Sequence, residues 1–174
     1  METLSNKNML PRFNFKDCRD FYNLKNLVRF NNKMRVKNES VAEHSYFVAL
    51  YTEMICEHFN FTSDQKLKAL RYALYHDVPE IWLSDIPHNV KAQNKELERC
   101  MQALEEKCID ENLPSHKDVF ECDSFTKLIV DTADIISVIV YVETEKSLGN
   151  ETLDEIYYSA IERYENIMEE IKNA

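Results

Sequence analysis

The chain has 174 residues and a formal net charge of −10, with 44% hydrophobic and 30% charged residues, one glycine and four prolines. That length suits one domain with a full hydrophobic core, and a composition rich in helix formers and poor in turn formers excludes a strand-rich fold. The acidic balance argues against a nucleic-acid polymer or an anionic membrane as partner, no apolar run approaches the roughly 20 residues that span a bilayer, and five irregularly spaced cysteines without C-x-x-C fit a reduced, cytoplasmic chain.

Residues 1–14 lack helical periodicity and contain Pro11, which predicts an extended arm ahead of a domain over residues 15–174. From Asp17, the apolar positions Phe21, Leu24, Leu27 and Val28 predict a first helix ending near Asn31 and Asn32, with Arg29 and Phe30 at its end. Lys33, Arg35 and Lys37 then concentrate positive charge in an acidic protein. Ser40-Val41-Ala42-Glu43 has the form of a capping box, so a second helix is expected to start there. Its stripe Val41, His44, Val48, Tyr51 and Ile55, with Phe47, Leu50 and Met54 beside it, puts His44 on the buried face. Thr62 offers a second cap, and Leu67, Leu70, Ala73 and Leu74 give the apolar face of a third helix running into His76.

Tyr75-His76-Asp77-Val78-Pro79-Glu80 reads as a metal site. A neighbouring His and Asp cannot both face one way on a regular helix, so two ligands here require a helix end, which Pro79 fits. Ile81 to Pro87 reads as a short connection, and Lys91 to Ile109 as a long amphipathic helix whose charges are a solvated face. Leu113 to Cys122 is a further connection. Phe125 to Val142 is nearly all apolar and predicts a central helix, interrupted by Asp131 and Asp134. A carboxylate inside such a helix is costly unless paired or bound to a cation, so at least one of the two has a partner. Gly149 is a helix stop, and Leu153 to Ile171 a final amphipathic helix.

His44, His76 with Asp77, and Asp134 thus stand as polar residues on otherwise apolar helical faces, and the simplest account is that they meet. Two imidazoles and two carboxylates suit one divalent transition ion such as Zn, Fe, Co, Ni or Mn better than Mg, which prefers oxygen ligands throughout.

This H…HD…D order on helices resembles the HD-domain metal-dependent phosphohydrolases. Arg29-Phe30, the run from Glu39 to Ser45, Tyr75-His76-Asp77 with Glu80, Ser84-Asp85-Ile86-Pro87, Val90-Lys91 and Ala133-Asp134 are similar to the bacterial 5'-deoxynucleotidases of that superfamily, over about residues 24–148. The resemblance implies an all-α helical bundle of the HD-domain type in which His44, His76, Asp77 and Asp134 are metal ligands. It implies that Glu80 handles the attacking water or the leaving-group proton, that Arg29 and Lys91 face the phosphate, and that Asp85 lies near the sugar 3'-hydroxyl. Phe30 stands where those enzymes have tryptophan against the sugar, and its smaller ring fills less space beside a 2'-hydroxyl. Asp131 either orients a metal-bound histidine or packs between helices.

The expected function is hydrolysis of deoxynucleoside 5'-monophosphates to orthophosphate. The alternative is a deoxynucleoside triphosphate triphosphohydrolase, in which Lys33, Arg35 and Lys37 would face the longer phosphate chain. A non-enzymatic nucleotide-binding module is a further alternative, against which Glu80 weighs. The resemblance also allows a homodimer or higher homo-oligomer.

Overall fold

Two side-chain caps decide where the first long helices begin. Ser40 Oγ accepts from Glu43 N–H at 3.2 Å while Glu43 Oε2 accepts from Ser40 N–H at 2.8 Å, and this reciprocal pair starts α2 (Val41–His58). Thr62 and Gln65 repeat the device and start α3 (Ser63–Tyr75). The computed structural model describes residues 15–86 and 94–173, and among these the fold is all-α, with one isolated antiparallel bridge between Val28 and Ser40. The other described helices, in chain order, are α1 (Phe15–Tyr22), α4 (Glu80–Leu83), α5 (Lys95–Asn112), α6 (Lys117–Phe120), α7 (Ser124–Ser147) and α8 (Asp154–Asn173), with 3-10 turns at Asn23–Asn26 and Pro114–His116. None of these helices is long and apolar enough to cross a membrane. The expected arm over residues 1–14 lies outside the described residues.

The first helix is shorter than its periodicity predicts. It ends at Tyr22, and after the 3-10 turn Leu27 is extended, with φ −82° and ψ 116°. Backbone pairing with the approach to α2 competes with the helix and wins: Val41 N–H donates to the Leu27 carbonyl and Arg29 N–H to the Glu39 carbonyl, each at 2.9 Å. The consequence is that Arg29 and Phe30 leave the helix and enter a loop.

The buried face of α3 also differs from expectation. Ala69 and Ala73 are fully buried, whereas Leu67 and Leu74 are 59% and 47% exposed. Small side chains let α3 lie close against α2 and α7, so Val48, Cys56, Ile129 and Ala133 close the core over the alanines. On α2 the residues Phe47, Leu50 and Met54 are likewise on the surface.

α7 is the axis of the fold, longer at both ends than the apolar run Phe125–Val142. Asp123 caps it by accepting Thr126 N–H at 2.8 Å, and it packs against α2, α3 and α8. Ile129, Val130, Ile135, Val138 and Val142 are buried around its circumference, as expected of a helix enclosed on several sides. It stops at Gly149, φ +87°, where Gly149 N–H reaches the Lys146 carbonyl at 2.9 Å and Asn150 N–H the Glu145 carbonyl at 3.0 Å. That pair of bonds is a Schellman closure, and it sends α8 back along α7.

Candidate active site

His76 is the C-cap of α3, and the backbone turns immediately after it: Val78 N–H donates to the Tyr75 carbonyl at 3.0 Å and Glu80 N–H to the Asp77 carbonyl at 3.1 Å. The predicted helix end is therefore present, and it lets His76 and Asp77 face one point. Asp77 Oδ2 is 3.3 Å from His76 Nε2 and 3.5 Å from His44 Nε2. The ligand atoms of His44, His76 and Asp77 all lie within 4.8 Å of one another, a group able to hold a metal ion. Asp134 joins it from α7, with Oδ1 3.0 Å from His44 Nε2, but it does not come within that distance of all three.

The imidazoles are oriented from behind. His76 Nδ1 is 2.7 Å from the Ala73 carbonyl, which can only accept, so Nδ1 carries a proton and Nε2 is turned to the centre. His44 Nδ1 is 3.1 Å from Ser137 Oγ, a hydroxyl on α7 that donates or accepts as the tautomer requires. Both Nε2 atoms are buried without a well-aligned hydrogen bond. Buried nitrogens aimed at a shared carboxylate, with their rear atoms satisfied, could hold a metal ion, and imidazole donors of this kind fit a divalent transition ion.

Charge in the site is arranged around Arg29, which stands 3.9 Å from Asp134 and 3.7 Å from Glu39. Burial opposes its charge, but Asp134, Asp77, Glu39 and Asp85 outweigh that and hold the guanidinium above its ordinary range. Burial would raise the Asp77 carboxyl, yet His76, His44 and Arg29 keep it well below the usual carboxylate range. Asp134 is kept low against the same penalty by His44, Arg29 and His76. Burial, then Arg29, lowers His44 against the opposing pull of Asp134 and Asp77. His76 goes the other way: despite burial, Asp77 and Asp134 lift it to about 9. A metal ion and a proton would compete for this nitrogen.

Glu39 is the electrostatic misfit. Burial lifts its carboxyl to about 7, only partly offset by Arg29 and reinforced by Glu43 and Asp134. An acid with a raised folded-state value binds its proton more tightly when folded, so it stabilises the fold fully below about pH 4.5, and that contribution disappears as pH rises through 7. The span corresponds to a change on the order of 3 kcal/mol. Glu39→Gln is expected to flatten this part of the stability profile and to melt above the wild type at pH 8. Parallel melting curves for the two proteins from pH 5 to pH 8 would remove Glu39 from this role.

Beside the metal group opens a cleft of about 360 Å³. Arg29, Phe30, Lys33, Asp77, Glu80, Asp85 and Asp134 all line it, so seven of the sequence candidates share one cavity. Arg35 is turned away. Its guanidinium donates to the Phe30 and Lys33 carbonyls and, at 3.0 Å, to Asn38 Oδ1. Lys91 lies outside the described residues. Asp131 is exposed, with no hydrogen bond or ion pair to either histidine among the described residues, so the orienting role falls to Ser137 and Ala73. The far wall comes from α8, through Ile156, Ser159, Ala160 and Arg163, none of which the sequence singles out. α8 reads as a plain amphipathic helix, and only its packing along α7 puts those residues in the cleft.

A family model described as "5'-deoxynucleotidase YfbR-like" matches residues 19–173. A 5'-deoxynucleotidase of Enterobacter sp. (strain 638) is 28% identical over 141 residues, 73% of this chain and 71% of that protein. Among solved structures, a Pyrococcus horikoshii OT3 protein is 26% identical and superposes with a TM-score of 0.73, over 91% of this chain and 96% of its own. An HD-domain phosphohydrolase of Listeria innocua shares the fold at 21% identity and a TM-score of 0.75, over 88% and 82% of the two chains.

Proposed function

Because the chain belongs to the YfbR-like 5'-deoxynucleotidase family, and is thus a hydrolase of nucleotide phosphoric esters, we propose that it releases orthophosphate from deoxynucleoside 5'-monophosphates. His44, His76, Asp77 and Asp134 would hold one divalent transition ion. When bound, such an ion supplies Lewis acidity, polarising a phosphoryl oxygen and making water a usable nucleophile near neutral pH. Arg29 binds and orients the phosphate through its planar donor fork. Glu80, whose backbone N–H is tied to the Asp77 carbonyl, moves the proton of the attacking water or of the leaving 5'-oxygen. Phe30 packs against the sugar, Asp85 accepts from the 3'-hydroxyl, and Lys33 and Lys91 add positive charge near the phosphate.

The observation that carries the choice of monophosphate is the fate of the basic run. Of Lys33, Arg35 and Lys37, only Lys33 lines the cleft, and it stands 3.6 Å from Glu155. Arg35 is consumed by its own loop. The cleft is also lined by Asp77, Glu80, Asp85, Asp134 and Glu155, a setting that repels the additional charge of a triphosphate. The test is the product formed from matched deoxynucleoside mono- and triphosphates by metal-loaded protein. Orthophosphate from the monophosphate, with little action on the triphosphate, is expected; tripolyphosphate released from the triphosphate would transfer the case to the triphosphohydrolase.

A further inference from the structure

The segment from residue 31 to 38, between Phe30 and the cap of α2, is held from α7. The Glu145 carboxylate is fully buried, and its two oxygens accept the Val36 and Lys37 N–H groups, each at 2.7 Å. Asn150 Nδ2 donates to the same carboxylate at 2.6 Å and to the Met34 carbonyl at 3.0 Å, and Thr152 Oγ1 donates to that carbonyl at 2.8 Å. One turn earlier on α7, the Tyr141 hydroxyl donates to the Lys37 carbonyl at 2.7 Å. A buried carboxylate is costly unless its lone pairs are satisfied, and here the groups that satisfy it belong to a loop and the loop's second anchor. Against the penalty of burial, Val36, Asn150 and Lys37 hold this carboxyl below the ordinary glutamate range.

The same stretch of α7 supports the cleft wall. The Tyr141 ring stacks on Phe30, with centroids 5.2 Å apart and planes at 11°, and Phe30 has φ +52°. A bulky residue keeps that backbone only where its surroundings over-determine it. Arg35 braces the loop from within by binding the Phe30 and Lys33 carbonyls.

We propose that Glu145 is a positioning residue: through the Val36 and Lys37 backbone, its carboxylate fixes the loop that presents Phe30 and Lys33 to the cleft, and so sets how tightly and how selectively a nucleotide is held. The proposal rests on the reading of the cleft as a nucleotide site.

The test uses full-length, metal-loaded Glu145→Gln and Tyr141→Phe, with deoxyadenosine and adenosine 5'-monophosphates as probes. Glutamine has one acceptor oxygen for two N–H groups, so one loop bond is lost. Expected for Glu145→Gln are a KM for the deoxynucleotide raised about tenfold, kcat within about twofold, unchanged metal content, and a lower ratio of deoxy to ribo kcat/KM. Unchanged KM and unchanged ratio in both variants would overturn the proposal, as would a fall in kcat together with metal content at constant KM, the mark of a merely structural part. If Glu145→Gln is not recovered folded, Tyr141→Phe, which keeps the ring stack and loses one loop bond, decides alone on KM and ratio. If the wild type releases no phosphate from either probe, the functional reading fails; the loop proposal is then decided by equilibrium dialysis of the same nucleotides, where equal Kd for wild type and both variants overturns it.

Discussion

Asp77→Asn is expected to abolish stoichiometric metal and to lower kcat/KM by at least about 10²-fold, since even partners outside the ligand set cost 10- to 100-fold when removed. Asp77 is the common neighbour of both imidazoles, at 3.3 Å and 3.5 Å, so neutralising it leaves two nitrogens without the anion that draws a cation between them. Asp134 is a less clean probe, because it also faces Arg29 at 3.9 Å, and its loss would disturb the proposed phosphate contact and the proposed ligation together. Chelation provides the companion measurement. An ion bound only by the native fold stabilises it by mass action, about 2.7 kcal/mol at a hundredfold excess over Kd. The wild type should therefore melt lower after chelation, and Asp77→Asn should not respond. Full metal content and activity in Asp77→Asn would sink the assignment, whatever the melting data show.

Glu80→Gln is expected to keep its metal and lose turnover by about 10²-fold or more, the usual scale for a positioned acid or base. The two variants separate binding of the ion from movement of the proton. Glu80 opens α4 directly after Pro79, and its N–H to the Asp77 carbonyl ties its backbone to the metal group, so the side chain is held in the cleft without being one of the three clustered ligands. Glutamine preserves shape and hydrogen bonding but cannot take up or release the proton. The informative readout is kcat in protein shown to be metal-loaded. Near-normal kcat there would make Glu80 a wall residue, and the proton would have to be assigned to another group in the cleft.

The helical fold and the convergence of His76 with Asp77 were legible in the sequence because both rest on local signals. Ser40 with Glu43 and Thr62 with Gln65 announce their helices within four residues, and the break at Pro79 explains how neighbouring His76 and Asp77 converge. What was not legible is long-range. Ser137, which orients His44, is a small residue in an apolar run and leaves no mark on its periodicity. Glu145 lies beyond the end of that run, and nothing in the spacing marks it as fully buried, because the Val36 and Lys37 N–H groups that its carboxylate accepts lie more than a hundred residues earlier. The first helix is shorter than its residue spacing suggests for a related reason. The backbone pairing of Leu27 and Arg29 with the approach to α2 has no counterpart in residue spacing.

The scarcity of glycine has a consequence for heat inactivation. Gly149 closes α7, and the other described left-handed positions fall to Phe30, Asn60 and Ser84, two of which flank the cleft. Ser84, with φ 66° and ψ 157°, lies in a basin that is essentially reserved for glycine and immediately precedes Asp85. Both corners are strained and depend on their restraints, such as the Tyr141 ring on Phe30, and a strained corner that loses them opens at lower free energy than a helical core does. On warming, the corners should slip into ordinary backbone basins while α2, α7 and α8 are still packed. Catalysis would then fade at a temperature where the far-ultraviolet helical signal is still intact, and return on cooling.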